Sequence, residues 1–190
     1  MFDGTSLFFR LMYFFTAVTP ASIMLSLQLK FDASDRLVNY GISLLILDVS
    51  VAIALKLKAM LINRVEVGVQ KTDFSVKVVA RNGDVVTFLF GVIIPSVLLP
   101  EGAENVEKVV IFSVVQLLVY IISIRTTSIF PNVLLMILGV DIYQLSSGSY
   151  VFSIGSKIGK KHKDIIITRL GDDVDNETYI FDSGDDNGKS

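Results

Sequence analysis

Apolar residues gather in four long runs, separated by short polar or alternating stretches. A helix needs about 20 mostly apolar residues to cross a hydrocarbon layer about 30 Å thick. The first run covers residues 7–29 and is interrupted by Arg10 and Pro20. The second, 40–62, is apolar to Leu55 and continues through Lys56 and Lys58. The third, 85–100, contains Gly91 and Pro95, and the fourth, 109–125, closes on Arg125. These runs predict four membrane-spanning helices. A fifth run from Ile129 to Val140 is too short to span and holds a Pro131-Asn132 break, which predicts a short buried or interfacial helix within 128–145.

Elsewhere the period changes from helical to two. Between the second and third runs, Val65, Val67 and Val69 alternate with Glu66 and Gly68, and Phe74, Val76 and Val78 alternate with Ser75 and Lys77. Such alternation marks half-buried strands, here a β-hairpin loop over 63–84 turning at 70–73, with Asn82-Gly83 as a second turn. Strand-like stretches return at 150–154, 164–169 and 178–181, within a strand-rich segment 146–182. One hairpin is marginal alone, whereas three or more strands with an apolar face persist, so both segments are expected to form one small β-subdomain. Residues 183–190 read as a disordered acidic tail. The predicted class is an α-helical membrane protein of four spans with a small β-rich subdomain.

Composition agrees. The 190 residues are 52% hydrophobic and 19% charged, against about 25% charged in typical soluble domains. There is no cysteine and one histidine, His162, so neither a disulfide framework nor a thiolate or histidine-rich metal site is expected. The first run lacks a basic leader and a convincing cleavage site, so it is expected to stay as a span.

Charge distribution orients the spans. With both chain ends on the cytoplasmic side, fourteen Lys and Arg residues fall inside and three, Lys30, Arg36 and Lys108, fall outside. Basic residues accumulate in cytoplasmic loops, so both ends are expected in the cytoplasm. The outside connections, 30–39 and 100–108, are too short to fold alone, and no ectodomain is expected.

Asp48 stands in the middle of the second run, where a carboxylate costs about 3 kcal/mol unless protonated, paired or wetted. It is a candidate proton- or voltage-sensitive group or oligomer contact; the alternative is an interior, neutral carboxyl bonded to Ser50, Ser43 or a neighbouring helix. Arg10 is placed to snorkel at the inner boundary. Gln116, with Ser113, is a candidate for interhelical hydrogen bonding. Pro20, Gly91 and Pro95 are candidate hinges. Lys157, Lys160, Lys161 and Lys163, beside His162 and with Arg169 further on, are candidate contacts for anionic headgroups or an acidic partner. Phosphate-loop, HExxH, GxSxG and calcium-loop patterns are absent. No enzymatic activity, cofactor, metal or direct nucleic-acid binding is expected, and the spans are too apolar to indicate a pore.

Two stretches carry a family resemblance. Asn82-Gly83-Asp84 leads into Thr87-Phe88-Leu89-Phe90-Gly91-Val92-Ile93-Ile94-Pro95, and Pro131-Asn132-Val133-Leu134-Leu135 leads through Gly139 and Tyr143 to strands at Tyr150, Thr168-Arg169-Leu170 and Tyr179-Ile180. Over about half the chain, this order resembles the KwaA family, the membrane subunit of the Kiwa anti-phage defence system. The resemblance implies a homo-oligomer, a tetramer, in the bacterial inner membrane. It would respond to membrane perturbation at infection and engage a cytoplasmic DNA-binding effector, KwaB-like. The rival readings are a small pore-forming effector or ion channel and an accessory subunit of a membrane transport complex.

Overall fold

The computed structural model describes residues 2, 5–30, 36–67, 72–74, 78–100, 102–125, 130–155, 158, 165–170 and 178–181. The protein is mostly helical and carries one small mixed sheet.

Helix α1 (Leu7–Ala17) starts where the Ser6 hydroxyl accepts from the Phe9 N–H at 3.2 Å, closing one of the orphan donors of a helix start. Helix α2 (Thr19–Gln28) follows at 51°. Pro20, in the first turn of α2, has no N–H to continue the ladder, so the axis breaks just before it. The hydroxyls of Thr16 and Thr19 turn back onto carbonyls of α1 at this bend, Met12 and Tyr13 for the one and Phe15 for the other.

Helix α3 (Arg36–Val67) has 32 residues, about 48 Å at 1.5 Å per residue. It runs through Val65 and Val67, where a strand was expected. Extending an existing helix fixes one residue per hydrogen bond, which is cheaper than nucleating a strand. Residues 85–100 form a broken helix: α4 (Val85–Phe88), a π-helical turn (Leu89–Ile93) that contains Gly91, and α5 (Ile94–Val97) with Pro95 in its first turn. Helix α6 (Asn105–Arg125) is continuous, and α7 (Val133–Ile137) is a single short turn of helix.

Length and composition alone mark fewer than the four expected spans. Among the described residues one helix, α6, is long and apolar enough to cross a membrane, and α1 with α2 adds a second if the bent pair is one span. Helix α3 is longer and carries one charged residue, Asp48, between Leu37 and Leu55, with Lys56 and Lys58 following. The α4–α5 stretch has thirteen helical residues, about 20 Å against a layer of about 30 Å.

Six strands, β1 (Thr72–Phe74), β2 (Val78–Arg81), β3 (Val140–Leu145), β4 (Tyr150–Ile154), β5 (Ile165–Arg169) and β6 (Thr178–Phe181), pair in the order β1-β5-β6-β4-β3-β2. All pairs are antiparallel except β4 with β6. Strand β3 lies where the short helix was expected to continue. Gly139, at φ +77°, ends α7, as glycine commonly does in the left-handed position after a helix. β1 and β2 do not pair with one another but form the two edges of the sheet; of the hairpin expected to turn at 70–73, residues 68–71 and 75–77 lie outside the described residues, and Val65 and Val67 belong to α3.

That edge placement dictates the sheet's shape. Phe74 and Val78 are four residues apart, which limits their Cα separation to about 15 Å. Five inter-strand steps at about 4.8 Å would put the edges of a flat sheet about 24 Å apart. The sheet therefore curls towards a barrel, and its two faces have different partners. Tyr143, Leu145, Val151, Ile167, Tyr179 and Phe181 cluster on one face with Ile158. Ile142, Tyr150, Phe152 and Ile180 face the other way, onto Phe9, Met12 and Tyr13 of α1 and Ala54, Leu57 and Leu61 of α3.

Phe2 is the centre of this second cluster. Its fully buried ring meets Phe9, Tyr13 and Tyr150 edge-on at 4.9–6.0 Å and lies tilted against Phe152 at 5.2 Å. Its φ of +51° is held by Thr5, whose N–H and hydroxyl both donate to the Phe2 carbonyl. Truncating a buried Phe to Ala costs about 3–5 kcal/mol. Phe2→Ala is expected to lower the thermal midpoint of the purified protein by roughly 10 °C, with Phe2→Leu recovering much of it. An unchanged midpoint would remove Phe2 from the core.

Candidate functional site

The junction between helices and sheet is built from a few polar groups in an apolar setting. The Tyr13 hydroxyl donates to the Phe130 carbonyl at 2.7 Å. Asn132 caps α7 by accepting from the Leu135 N–H at 3.1 Å, while its Nδ2 donates to the Tyr13 carbonyl at 3.1 Å and the Thr16 hydroxyl at 2.7 Å. One buried amide thus ties α7, which feeds directly into β3, to the last turns of α1. The Lys58 ammonium of α3 donates to the Leu138 carbonyl at 2.7 Å, holding the other end of α7.

A second lock joins the sheet to the broken helix. Asn82 takes a left-handed φ of +56°, which its side chain tolerates. Its N–H donates to the Ile142 carbonyl at 2.7 Å, and its Oδ1 accepts from the Ile142 N–H at 2.8 Å, extending the β2–β3 ladder by one pair. Asp141 accepts from Asn82 Nδ2 and from the Arg81 guanidinium, both at 2.7 Å. The hydrogen bond to Asp141 is the largest cause holding the Arg81 pKa above its ordinary value.

Above these joints the helices expose an apolar belt. Leu7, Phe8, Leu11 and Phe15 of α1 point outwards, as do Val110, Val114, Leu117, Leu118, Ile121 and Ile122 of α6. Only 17% of the most apolar 18-residue window of α6 is buried. On α3, the positions Gly41, Leu45, Asp48, Ala52, Leu55, Ala59 and Ile62 recur at three- and four-residue spacing and are all exposed. Contiguous apolar surface on this scale marks contact with another protein or a membrane.

The sequence candidates fall at different depths in this arrangement. Asp48 lies on the exposed stripe of α3, with no partner among the described residues of the protomer. The interior carboxyl bonded to Ser43 or Ser50 is corrected: the Ser43 hydroxyl instead meets the Ser26 hydroxyl at 2.6 Å and the Asn39 carbonyl at 2.8 Å. Gln116 is buried, but neither atom of its amide has a hydrogen-bond partner among the described residues, nor has the Tyr120 hydroxyl one turn on. Interhelical bonding by Gln116 is corrected too, because the cluster around this part of α6 offers Phe14, Val92 and Phe130 rather than acceptors. Ser113 bonds within its own helix, to Val109.

Arg10 reaches the Thr5 hydroxyl at 3.3 Å, at the sheet end of α1. Arg169 lies in β5 opposite Tyr179 of β6, half-buried. Lys157, Lys160, Lys161 and Lys163 lie outside the described residues. Tyr13, Asn132 and Asp141 escaped selection on sequence. The signal for Asn132 was present, since an Asn just before an apolar run is a helix cap.

A family model described as anti-phage protein KwaA matches residues 9–176. The chain belongs to the KwaA anti-phage protein family. The matched stretch contains both joints, from Tyr13 to Asn132 and from Asn82 to Asp141. Comparisons with curated proteins and with solved structures find no match.

In this member of the KwaA family, Asp141 is the group whose loss tests the lower joint. Asp141→Ala leaves Asn82 and Arg81 without their acceptor, a change of about 1–3 kcal/mol. Amide hydrogen exchange is expected to accelerate at Asn82 and Ile142, and Asp141→Asn to restore part of the protection. Unaltered exchange at both amides would show that the ladder holds without the side-chain lock.

Proposed function

We propose that this KwaA-family protein is a multi-pass inner-membrane sensor and scaffold of the Kiwa defence system. It responds to membrane perturbation during infection and recruits or activates a cytoplasmic DNA-binding effector, KwaB-like. The observation that carries the membrane reading is α6, an apolar 21-residue helix most of whose surface is not covered by the protein. An exposed apolar helix of this length is stable in hydrocarbon and unfavourable in water. The exposed Ser113 hydroxyl bonds back to the Val109 carbonyl of its own helix, which suits the same solvent.

The four-span arrangement belongs to this proposal, with α3 as second span and the α4–α5 stretch as a broken third. The basic residues that border the helices then divide by side: Arg10, Lys56, Lys58, Arg64, Arg81 and Arg125 towards the sheet, Lys30, Arg36 and Lys108 at the opposite end. This division follows the positive-inside pattern with the sheet in the cytoplasm. Reporter fusions at residues 35, 72, 104 and 190 are expected to read outside, inside, outside, inside. Any other order contradicts the arrangement.

The exposed stripe of α3 favours a homo-oligomer with Asp48 at the contact between copies. Facing lipid, an ionised carboxylate costs about 3 kcal/mol; facing a second copy, it gains polar partners, and Gly41, Ala52 and Ala59 allow close approach. The chain has no cysteine, so a single Ala52→Cys is expected to form disulfide-linked dimers in membranes under mild oxidation. Failure to crosslink, with Phe15→Cys on α1 as the comparison, would remove this stripe from the interface.

For the effector, the exposed edge strand β2 is the docking surface we favour, since Val79 is a large apolar side chain 63% exposed on the sheet. Val79→Glu is expected to reduce effector recovery from detergent extracts at least fivefold while leaving the thermal midpoint unchanged. Undiminished recovery would place the docking surface elsewhere.

A further inference from the structure

At the end of the bundle away from the sheet, α2, α5 and α6 surround a half-open cavity of about 520 Å³, lined by Gln28, Lys30, Val97, Leu99 and Lys108. Its volume lies within the range of small-molecule sites, about 300–1,000 Å³. Lys108 is 3% exposed, yet among the described residues its ammonium has a single acceptor, the Gln28 carbonyl at 3.0 Å. Among the described residues no carboxylate pairs with it: Glu104, just before α6, and Glu107, in its first turn, are exposed. A buried cation without a counter-charge costs several kcal/mol, and two of its three N–H donors remain for another acceptor.

The rest of the cavity is firmly held. Gln28 Nε2 donates to the Ser96 carbonyl at 2.8 Å, and Asn105 clasps the backbone of Lys30, donating to its carbonyl at 2.6 Å and accepting from its N–H at 2.7 Å. The first turn of α6 adds the positive end of a 21-residue helix. The opposite wall, Val97 and Leu99, is apolar. Cationic donors facing an apolar wall suit an amphiphile better than a free ion.

We infer that this cavity binds the phosphodiester headgroup of an anionic phospholipid, with Lys108 donating to the phosphate oxygens and Val97 and Leu99 against the glycerol and upper acyl carbons. The inference rests on the membrane reading above: where α6 and the α1–α2 pair cross the bilayer, the cavity lies at headgroup depth. It also accounts for two of the three basic residues on the side where such residues are scarce, since Lys30 and Lys108 both line it.

The test uses the full chain, purified in detergent, with its thermal midpoint read on addition of phosphatidylglycerol or of inorganic phosphate alone. Phosphatidylglycerol is expected to raise the midpoint by about 5–10 °C at a hundredfold excess over Kd, and phosphate alone to leave it unchanged. Lys108→Gln is expected to lose the lipid shift and Lys108→Arg to keep it. Val97 is 51% exposed, so Val97→Trp is tolerated by the fold and fills the cavity; it is expected to lose the shift at an unaltered starting midpoint, which keeps the test valid if Lys108→Gln misfolds. An equal shift with inorganic phosphate, no shift with lipid, or a full shift in Val97→Trp would each overturn the inference. Alkaline extraction of cell membranes separates the two levels: recovery of the chain in the soluble fraction overturns the membrane reading, whereas a membrane-retained chain without a lipid shift overturns only the headgroup site.

Discussion

The amide of Asn132 serves three groups at once, and the rest of the architecture depends on that. It caps α7, holds the Tyr13 carbonyl and satisfies the Thr16 hydroxyl, all where water is excluded. Leaving such buried groups without partners costs about 1–3 kcal/mol each. The chain therefore has one favourable way to bring residue 132 against the middle of α1. Helix α7 then delivers Gly139 and β3 to the underside of α1 and α3, and the sheet is assembled against them.

From that joint outwards, the molecule divides by solvent. On the sheet side, aromatic rings from Phe2, Phe9, Tyr13, Tyr150 and Phe152 interlock across the boundary between helix and strand. On the far side, the helices touch each other through small and aromatic residues and leave large aliphatic side chains outside. A shared aromatic core means that displacement of α1 by its surroundings is met by movement of β4, since no apolar layer intervenes to absorb it. This gives the proposed sensor a physical route from the helical belt to the curled sheet, and the anti-phage role of the KwaA family gives that route a purpose.

Continuous apolar runs made the helices legible in the sequence, and apolar, β-prone stretches did so for the strands at Tyr150–Ile154 and Thr178–Phe181, which are buried along nearly their whole length. The kinks at Pro20, Gly91 and Pro95 were legible locally too. Pairing was not. Val65 and Val67 alternate like a strand and lie in a helix, and β1 and β2 neighbour each other in sequence but take opposite edges, because their partners β5 and β3 come from the distant C-terminal part. Asp48 could be flagged as costly, but its direction is a property of the whole bundle. The burial of Lys108 comes from the enclosing α2 and α5, which no local pattern around residue 108 encodes.

Hydrogen–deuterium exchange on the protein in lipid vesicles, comparing the unmodified chain with Asn132→Ala, tests the coupling of belt and sheet most directly. The account predicts faster exchange in α1 and, together with it, in β3 and β4, at least fivefold over the unmodified protein. Acceleration confined to the residues around 132, with β4 protected as before, would contradict it.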